Sequence, residues 1–253
     1  MKLVRFWWKN NEYCGCVEGD SVRLLKGDLL DTREVGEQVV PLTEIALLPP
    51  TYPTKAVCIG LNYRAHAMEL KYDLPKEPLM FLKPSSAVLP PNEAIIYPPL
   101  TENLHYEGEL AIVIGSVAKD VSAEDANSVI LGYTCANDVT ARDLQQSDGQ
   151  WTRGKSFDTF LPFGPWIETE LNLDDARITT TLNGEIKQDS NINDLIFKVP
   201  ELVAKISAVM TLYPGDLILT GTPSGVGPMQ EGDVVTVAIE GIGELSNTIK
   251  RRA

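Results

Sequence analysis

The stretch His105-Tyr106-Glu107-Gly108-Glu109-Leu110-Ala111-Ile112-Val113-Ile114-Gly115 decides how this chain is read. Its second half is an apolar, β-branched run closed by glycine, the pattern of a buried strand. If the whole run is one strand, side chains alternate with a period of two, so Glu107 and Glu109 point to one face and His105 shares it. Two carboxylates would then stand together at the edge of a core, where paired negative charge is costly. One of them would take up a proton unless a cation joined them. For a bare Glu-x-Glu the plainer alternative is an exposed strand start with two solvated glutamates. His105 is read as an ordinary surface or satisfied histidine and receives no role.

Outward from this run, strand patterns dominate. Residues 55–59, 79–82, 130–134 and 216–220 are short and rich in aliphatic and β-branched side chains. Helical spacing is expected over Asn62 to about Leu70, Ala123 to Val129 and Val199 to Met210, the last with Leu202, Ile206 and Val209 in phase. Toward the N-terminus, residues 3–7, 13–17 and 21–25 read as strands separated by turns. The passage Leu48-Pro49-Pro50-Thr51-Tyr52-Pro53 disfavours helix and removes backbone donors. The fold class expected is therefore mainly β with short helices (α+β), with a small N-terminal β-unit over 1–51 and the main domain over 52–253. No fixed-period repeat or low-complexity tract is present.

A chain of 253 residues with 43% apolar side chains can bury a substantial core. Acidic residues outnumber basic ones by 35 to 22, and the net charge of −13 repels phosphate backbones and anionic lipid headgroups. Nucleic acid and membrane partners are not expected. An anionic substrate would need local positive charge, from a metal ion or from placed Lys and Arg. No run of eighteen apolar residues occurs, and the N-terminus breaks into charge too soon for a signal peptide, so a cytoplasmic location is expected. Cys14 and Cys16 fit one face of a strand better than a metal site, because no second pair accompanies them.

Asp138 follows the small apolar run ending in Ala136-Asn137, where a ligand would project. Three carboxylates without a Cys or His cluster describe a hard site, suited to Mg²⁺ or Mn²⁺. His66 and Glu69 are three apart, on one face of the expected helix. A carboxylate that orients an imidazole makes a general base near neutral pH, although an ordinary surface pair has the same spacing. Lys155 lies among aromatics and a glycine, and a lone lysine is usually solvated. The Gly-rich segment from Leu219 to Pro228 could present backbone donors to an anion, but it lacks a Walker ending and reads more simply as a surface turn.

Taken in order, Gly60-Leu61-Asn62-Tyr63 with His66 and Glu69, Phe81-Leu82-Lys83-Pro84, Glu107-Gly108-Glu109, Asn137 to Asp143, Lys155-Ser156-Phe157-Asp158 and Gly221-Thr222-Pro223 resemble the fumarylacetoacetate hydrolase family. The likeness runs from about residue 52 to the C-terminus, and the first fifty residues are similar to the small N-terminal unit of single-copy bacterial members. The resemblance implies a mixed β-sandwich roll and a homodimer. It implies Glu107, Glu109 and Asp138 as metal ligands, and His66 with Glu69 as a catalytic dyad on a lid. Lys155 would be catalytic, with Arg142, Gln145 and Thr222 facing a small 2-oxo acid. The chemistry implied is a stabilised enolate leading to C–C bond hydrolysis, or alternatively to decarboxylation or isomerisation of oxaloacetate or 2-hydroxymuconate-type acids. Leu61 departs from some acylpyruvate-cleaving members, which carry Arg there. A metal-dependent acid binder without turnover is the non-enzyme alternative.

Overall fold

The computed structural model describes residues 1–31, 33–69 and 73–251. The backbone is organised around one large, mixed sheet. Its order runs from Val35–Pro41 through Ser21–Leu25, Asn11–Glu18, Lys2–Trp8, Leu161–Glu168, Ile130–Asn137, Gly108–Ile114, Leu217–Leu219 and Lys55–Gly60 to Leu79–Pro84. Lys2–Trp8 pairs antiparallel with Leu161–Glu168, so the N-terminal strands and the rest of the chain share this sheet. A five-stranded sheet packs against it, in the order Glu185–Asn191, Arg177–Leu182, Val234–Ile239, Gly243–Arg251, Ala94–Tyr97. A three-stranded sheet of Thr140–Ala141, Leu104–Tyr106 and Gly227–Pro228 closes one end. The fold is mainly β with short helices, as the strand patterning implies.

The central strand explains its own composition. All seven residues of Gly108–Ile114 are buried. Leu110, Ile112 and Ile114 pack into one core cluster with Ile178, Val237, Ile239 and Leu245 of the second sheet. Ala111 and Val113 point the other way, into a cluster with Leu3, Leu161 and Phe163. A strand covered on both faces has no polar side, hence the unbroken aliphatic run. The helix Val199–Val209 carries proline in its first turn, where a missing N–H costs nothing, and buries Leu202, Val203 and Ile206 against the first cluster. Each such aliphatic side chain contributes about 1.5–3 kcal/mol on burial.

Two expectations are corrected. Over 123–129 only a 3-10 turn, Ala126–Val129, forms. Ser122 Oγ accepts from the Asp125 amide and Ser128 Oγ donates to the Asp125 carbonyl, so side chains occupy the backbone groups that a longer helix would use. The helix after Asn62 is Arg64–Glu69; Leu70, the far end of the expected span, lies outside the described residues.

Candidate metal and active site

The run from His105 to Ile114 is not one strand, and the break is where the chemistry sits. Leu104–Tyr106 belongs to the three-stranded sheet and Gly108–Ile114 to the large one, with Glu107 at the crossing. The crossing is held by Asn137 Oδ1, which accepts from the Glu107 amide at 2.9 Å, and by the Asp138 amide, which donates to the Glu107 carbonyl at 2.9 Å. Glycine is required between the two acids, since a Cβ on Gly108 would lie 2.0 Å from Thr180 Oγ1. Despite the break, Glu107 and Glu109 converge, and the Gly108↔Asn137 register brings Asp138 beside them. One carboxylate oxygen of each acid lies within 4.8 Å of the others, and all three residues are buried.

Cationic side chains surround two of the acids. Lys155 Nζ donates to Glu107 Oε2 at 2.8 Å and to Asp138 Oδ2 at 2.6 Å. Lys83 Nζ reaches Asp138 Oδ1 at 2.5 Å and the Val139 carbonyl at 3.0 Å. The Arg142 guanidinium pairs with Glu107 Oε1 and donates to Gln145 Oε1 at 2.6 Å. Lys155 rides on the short helix Thr152–Lys155, which seats on Arg142–Asp148 through Gly154, where a Cβ would meet the Gln145 amide nitrogen at 2.8 Å.

The electrostatics divide accordingly. Burial pushes the Glu107 carboxyl up, but the charges of Lys155 and Arg142 prevail and hold it well below the usual carboxylate range. Burial, with Asp138 and Glu107 alongside, drives Glu109 well above that range. Lys155 loses by burial and gains more from Asp138 and Glu107, so it stays above an ordinary lysine. Burial lowers Lys83, only partly offset by Asp138. Glu109 accepts a hydrogen bond from the Gly221 amide at 2.7 Å, and no lysine or arginine pairs with it among the described residues. A buried carboxylate facing two others without a cation of its own is what a divalent ion would complete. The all-oxygen donor set fits a hard one.

The helix Arg64–Glu69 brings His66 Nδ1 to 3.0 Å from Glu69 Oε2. His66 is buried, Glu69 is exposed, and the imidazole is among the groups near enough to bear on the Glu107 carboxyl. Asn62 fixes the start of this segment. Its Nδ2 donates to the carbonyls of Phe197 and Thr220, and its Oδ1 accepts from the Phe197 amide. His105 stands apart, its Nε2 donating to Asn103 Oδ1 at 2.9 Å while burial and Arg142 push its pKa down to about 4.

The segment after Leu219 is not a plain surface turn. Thr220, Gly221 and Thr222 are buried, and the Gly221 amide donates to the carboxyl of Glu109. Thr222 Oγ1 donates to the Gly108 carbonyl at 2.9 Å and accepts from Gln188 Nε2 at 2.8 Å. Of the residues singled out from sequence, His66, Lys155, Arg142, Glu107, Glu109 and Asp138 gather at one place. Gln145 joins through Arg142 and Thr222 through Gly108. Lys83, Asn62, Asn137 and Gln188 were not assigned there. A lysine inside the apolar strand Leu79–Pro84 is a readable signal, whereas Gln188 lies in a polar run that offers none. The cavity of about 370 Å³ beside Lys2, Arg177 and Glu240 contains none of these groups.

Residues 55–250 match the family model described as fumarylacetoacetate (FAA) hydrolase C-terminal, and residues 1–50 match one described as Rv2993c-like, N-terminal. The chain is similar to a mitochondrial oxaloacetate tautomerase of Rattus norvegicus, 41% identical over 223 residues, covering 83% of this chain and 71% of that protein. It is also similar to the crystal structure of a 2-hydroxyhepta-2,4-diene-1,7-dioate isomerase from Mycobacterium marinum, with 44% identity and a TM-score of 0.93 over 100% of this chain and 99% of the other. A maleylpyruvate hydrolase from Sphingobium, in complex with manganese(II) and pyruvate, matches with 30% identity and a TM-score of 0.84 over the whole of both chains.

Proposed function

The chain belongs to the fumarylacetoacetate hydrolase family, and from that premise we propose that it is an Mg²⁺- or Mn²⁺-dependent enzyme that enolises a small 2-oxo acid, with keto–enol tautomerisation or isomerisation as its reaction. The observation that carries this reading is the buried cluster of Glu107, Glu109 and Asp138, with one oxygen of each within 4.8 Å of the others. On this reading residues 1–51 are a small β-unit and residues 52–253 the catalytic domain. The preference for proton transfer over bond cleavage draws on the tautomerase and isomerase relatives, at 41% and 44% identity, against 37% for a fumarylacetoacetate hydrolase from Exiguobacterium antarcticum and 30% for the maleylpyruvate hydrolase. Leu61 agrees with it, since some acylpyruvate-cleaving members carry Arg there.

A divalent cation on the three carboxylates would supply a Lewis acid toward the 2-keto oxygen. The protein's own groups do the rest. Lys155 and Arg142 place positive charge where an acid substrate must enter an otherwise anionic molecule of net charge −13. Gln145, bonded to Arg142, fixes the orientation of that guanidinium. With Glu69 accepting at Nδ1, the His66 ring carries its proton there and keeps a bare Nε2 as the base. The C3 proton passes to Nε2 and the C–H electron pair becomes the C2–C3 double bond. Negative charge moves to the 2-oxygen, and return of the proton to that oxygen completes the tautomer.

A second reading, hydrolysis of a C–C bond, is favoured by the same His66–Glu69 pair, which could instead take a proton from water. Turnover assays on oxaloacetate enol, a 2-hydroxymuconate-type acid and an acylpyruvate, each with Mg²⁺, Mn²⁺ or EDTA, separate the outcomes. Cation-dependent loss of enol absorbance without cleaved product supports tautomerisation, and pyruvate release from the acylpyruvate supports hydrolysis. Cation-dependent ligand binding with no turnover of any of them would refute the enzyme reading.

A further inference from the structure

We propose that Gln188 is a positioning residue for the acid cluster: together with Thr222 it holds the two peptide groups that flank Gly108, and so sets the spacing of Glu107 and Glu109. This rests on the reading that those carboxylates hold a divalent cation.

The strand Gly108–Ile114 has a complete neighbour on one side only. Ile130–Asn137 runs beside it down to the Gly108↔Asn137 pair. On the other side Leu217–Leu219 pairs with Ala111–Val113, and the Thr220 amide continues to the Leu110 carbonyl at 3.0 Å. The chain then turns at Gly221, where φ is +101°, a conformation suited to glycine. Among the described residues no strand reaches Gly108 from that side, yet its amide and carbonyl are buried and need partners.

Two side chains supply them. Gln188 Oε1 accepts from the Gly108 amide at 2.9 Å, and Thr222 Oγ1 donates to the Gly108 carbonyl at 2.9 Å. Gln188 Nε2 closes the ring, donating to Thr222 Oγ1 and to the Pro223 carbonyl, both at 2.8 Å. The amide orientation is determined by its partners: reversed, NH₂ would face the Gly108 N–H and oxygen would face the Pro223 carbonyl. Both Gln188 N–H groups and its oxygen are thus engaged, and the residue is 1% exposed.

Gly108 lies between the two glutamates, so this ring holds the Glu107–Gly108 peptide through its N–H and the Gly108–Glu109 peptide through its C=O. It also changes the part played by Thr222. A hydroxyl has one proton, and that of Thr222 goes to the Gly108 carbonyl, leaving none for a substrate carboxylate. The Thr222 hydroxyl acts on the ligand-bearing backbone rather than as a donor to the substrate.

Partners that orient metal ligands typically change metal affinity by about 10–100-fold when removed. Mn²⁺ titrations followed by the EPR signal of the free ion, on wild type, Gln188→Ala, Thr222→Val and Thr222→Ser, with KM and kcat measured alongside, test the assignment. The expected result is Mn²⁺ affinity about 10–100-fold weaker in Gln188→Ala and Thr222→Val, with Thr222→Ser restoring most of it. Thr222→Val conserves volume, so it decides the matter if Gln188→Ala fails to fold. Wild-type Mn²⁺ affinity in Thr222→Val, with KM raised and kcat kept, would make Thr222 a substrate contact and overturn the assignment. Tight binding in wild type and in both variants overturns the assignment alone, whereas no binding in wild type would sink the metal reading as well.

Discussion

Glu109→Gln separates a metal site from a merely acidic cluster. Glutamine has the same shape and its carbonyl oxygen can still accept the Gly221 amide hydrogen that Glu109 Oε2 accepts at 2.7 Å, so the local fold should survive. The cost of burying an ionisable carboxyl beside Asp138 and Glu107, which drives its pKa up, disappears. The cation-free variant should therefore melt at or above the cation-free wild type. Cation binding at a hundredfold excess over Kd stabilises by about 2.7 kcal/mol. For a chain of this size each kcal/mol raises Tm by about 2–4 °C, which gives an Mg²⁺ or Mn²⁺ shift of about 5–10 °C in the wild type. Glu109→Gln should lose nearly all of it. Differential scanning fluorimetry with EDTA, Mg²⁺ and Mn²⁺ reads both effects. A variant that is destabilised without the ion and still shows the full shift would refute the reasoning, because Glu109 would then be structural.

His66→Ala removes the proposed base while leaving the acids untouched; kcat for enol turnover should fall by about 10²–10⁴-fold, with Mn²⁺ affinity within about threefold of wild type by titration. Asp216 offers a test away from the site. Its fully buried carboxylate accepts from the amides of Thr54, Lys55 and Tyr213, from Thr54 Oγ1 and from Lys55 Nζ. Burial raises its pKa, but Lys55 and these other donors prevail and hold it below the usual value. Its stabilisation is present above the unfolded-state pKa, about 3.9, and is lost as pH falls through the lower folded value. Asp216→Asn should cost about 1–3 kcal/mol at pH 7 in urea unfolding, and the gap to wild type should narrow below about pH 4.

Much of this was legible in the residues because two simple periods apply. The aliphatic block Leu110–Ile114 announces a strand buried on both faces, and it is one. Glu107 and Glu109 do meet, although not because they share a regular strand: the chain changes sheets at Glu107, a crossing made by Asn137, Asp138 and the missing Cβ of Gly108. No local pattern encodes that crossing, since its partners lie about thirty residues away. Gln188 was invisible for the same reason. Its three hydrogen bonds run to Gly108, Thr222 and Pro223, and its neighbours Lys187 and Asp189 are ordinary polar strand residues. Ala123 to Val129 failed in the opposite way, where apolar spacing suggested a helix and Ser and Asp side chains took the backbone groups.

A crystal grown or soaked with Mn²⁺, with data collected at the manganese absorption edge, tests the account at its centre. The expected result is one anomalous peak bonded to oxygens of Glu107, Glu109 and Asp138 at about 2.0–2.3 Å, with Lys155 displaced from its bridge between Glu107 and Asp138. Manganese located only at other carboxylates, with the Lys155 bridge intact at saturating metal, would contradict it.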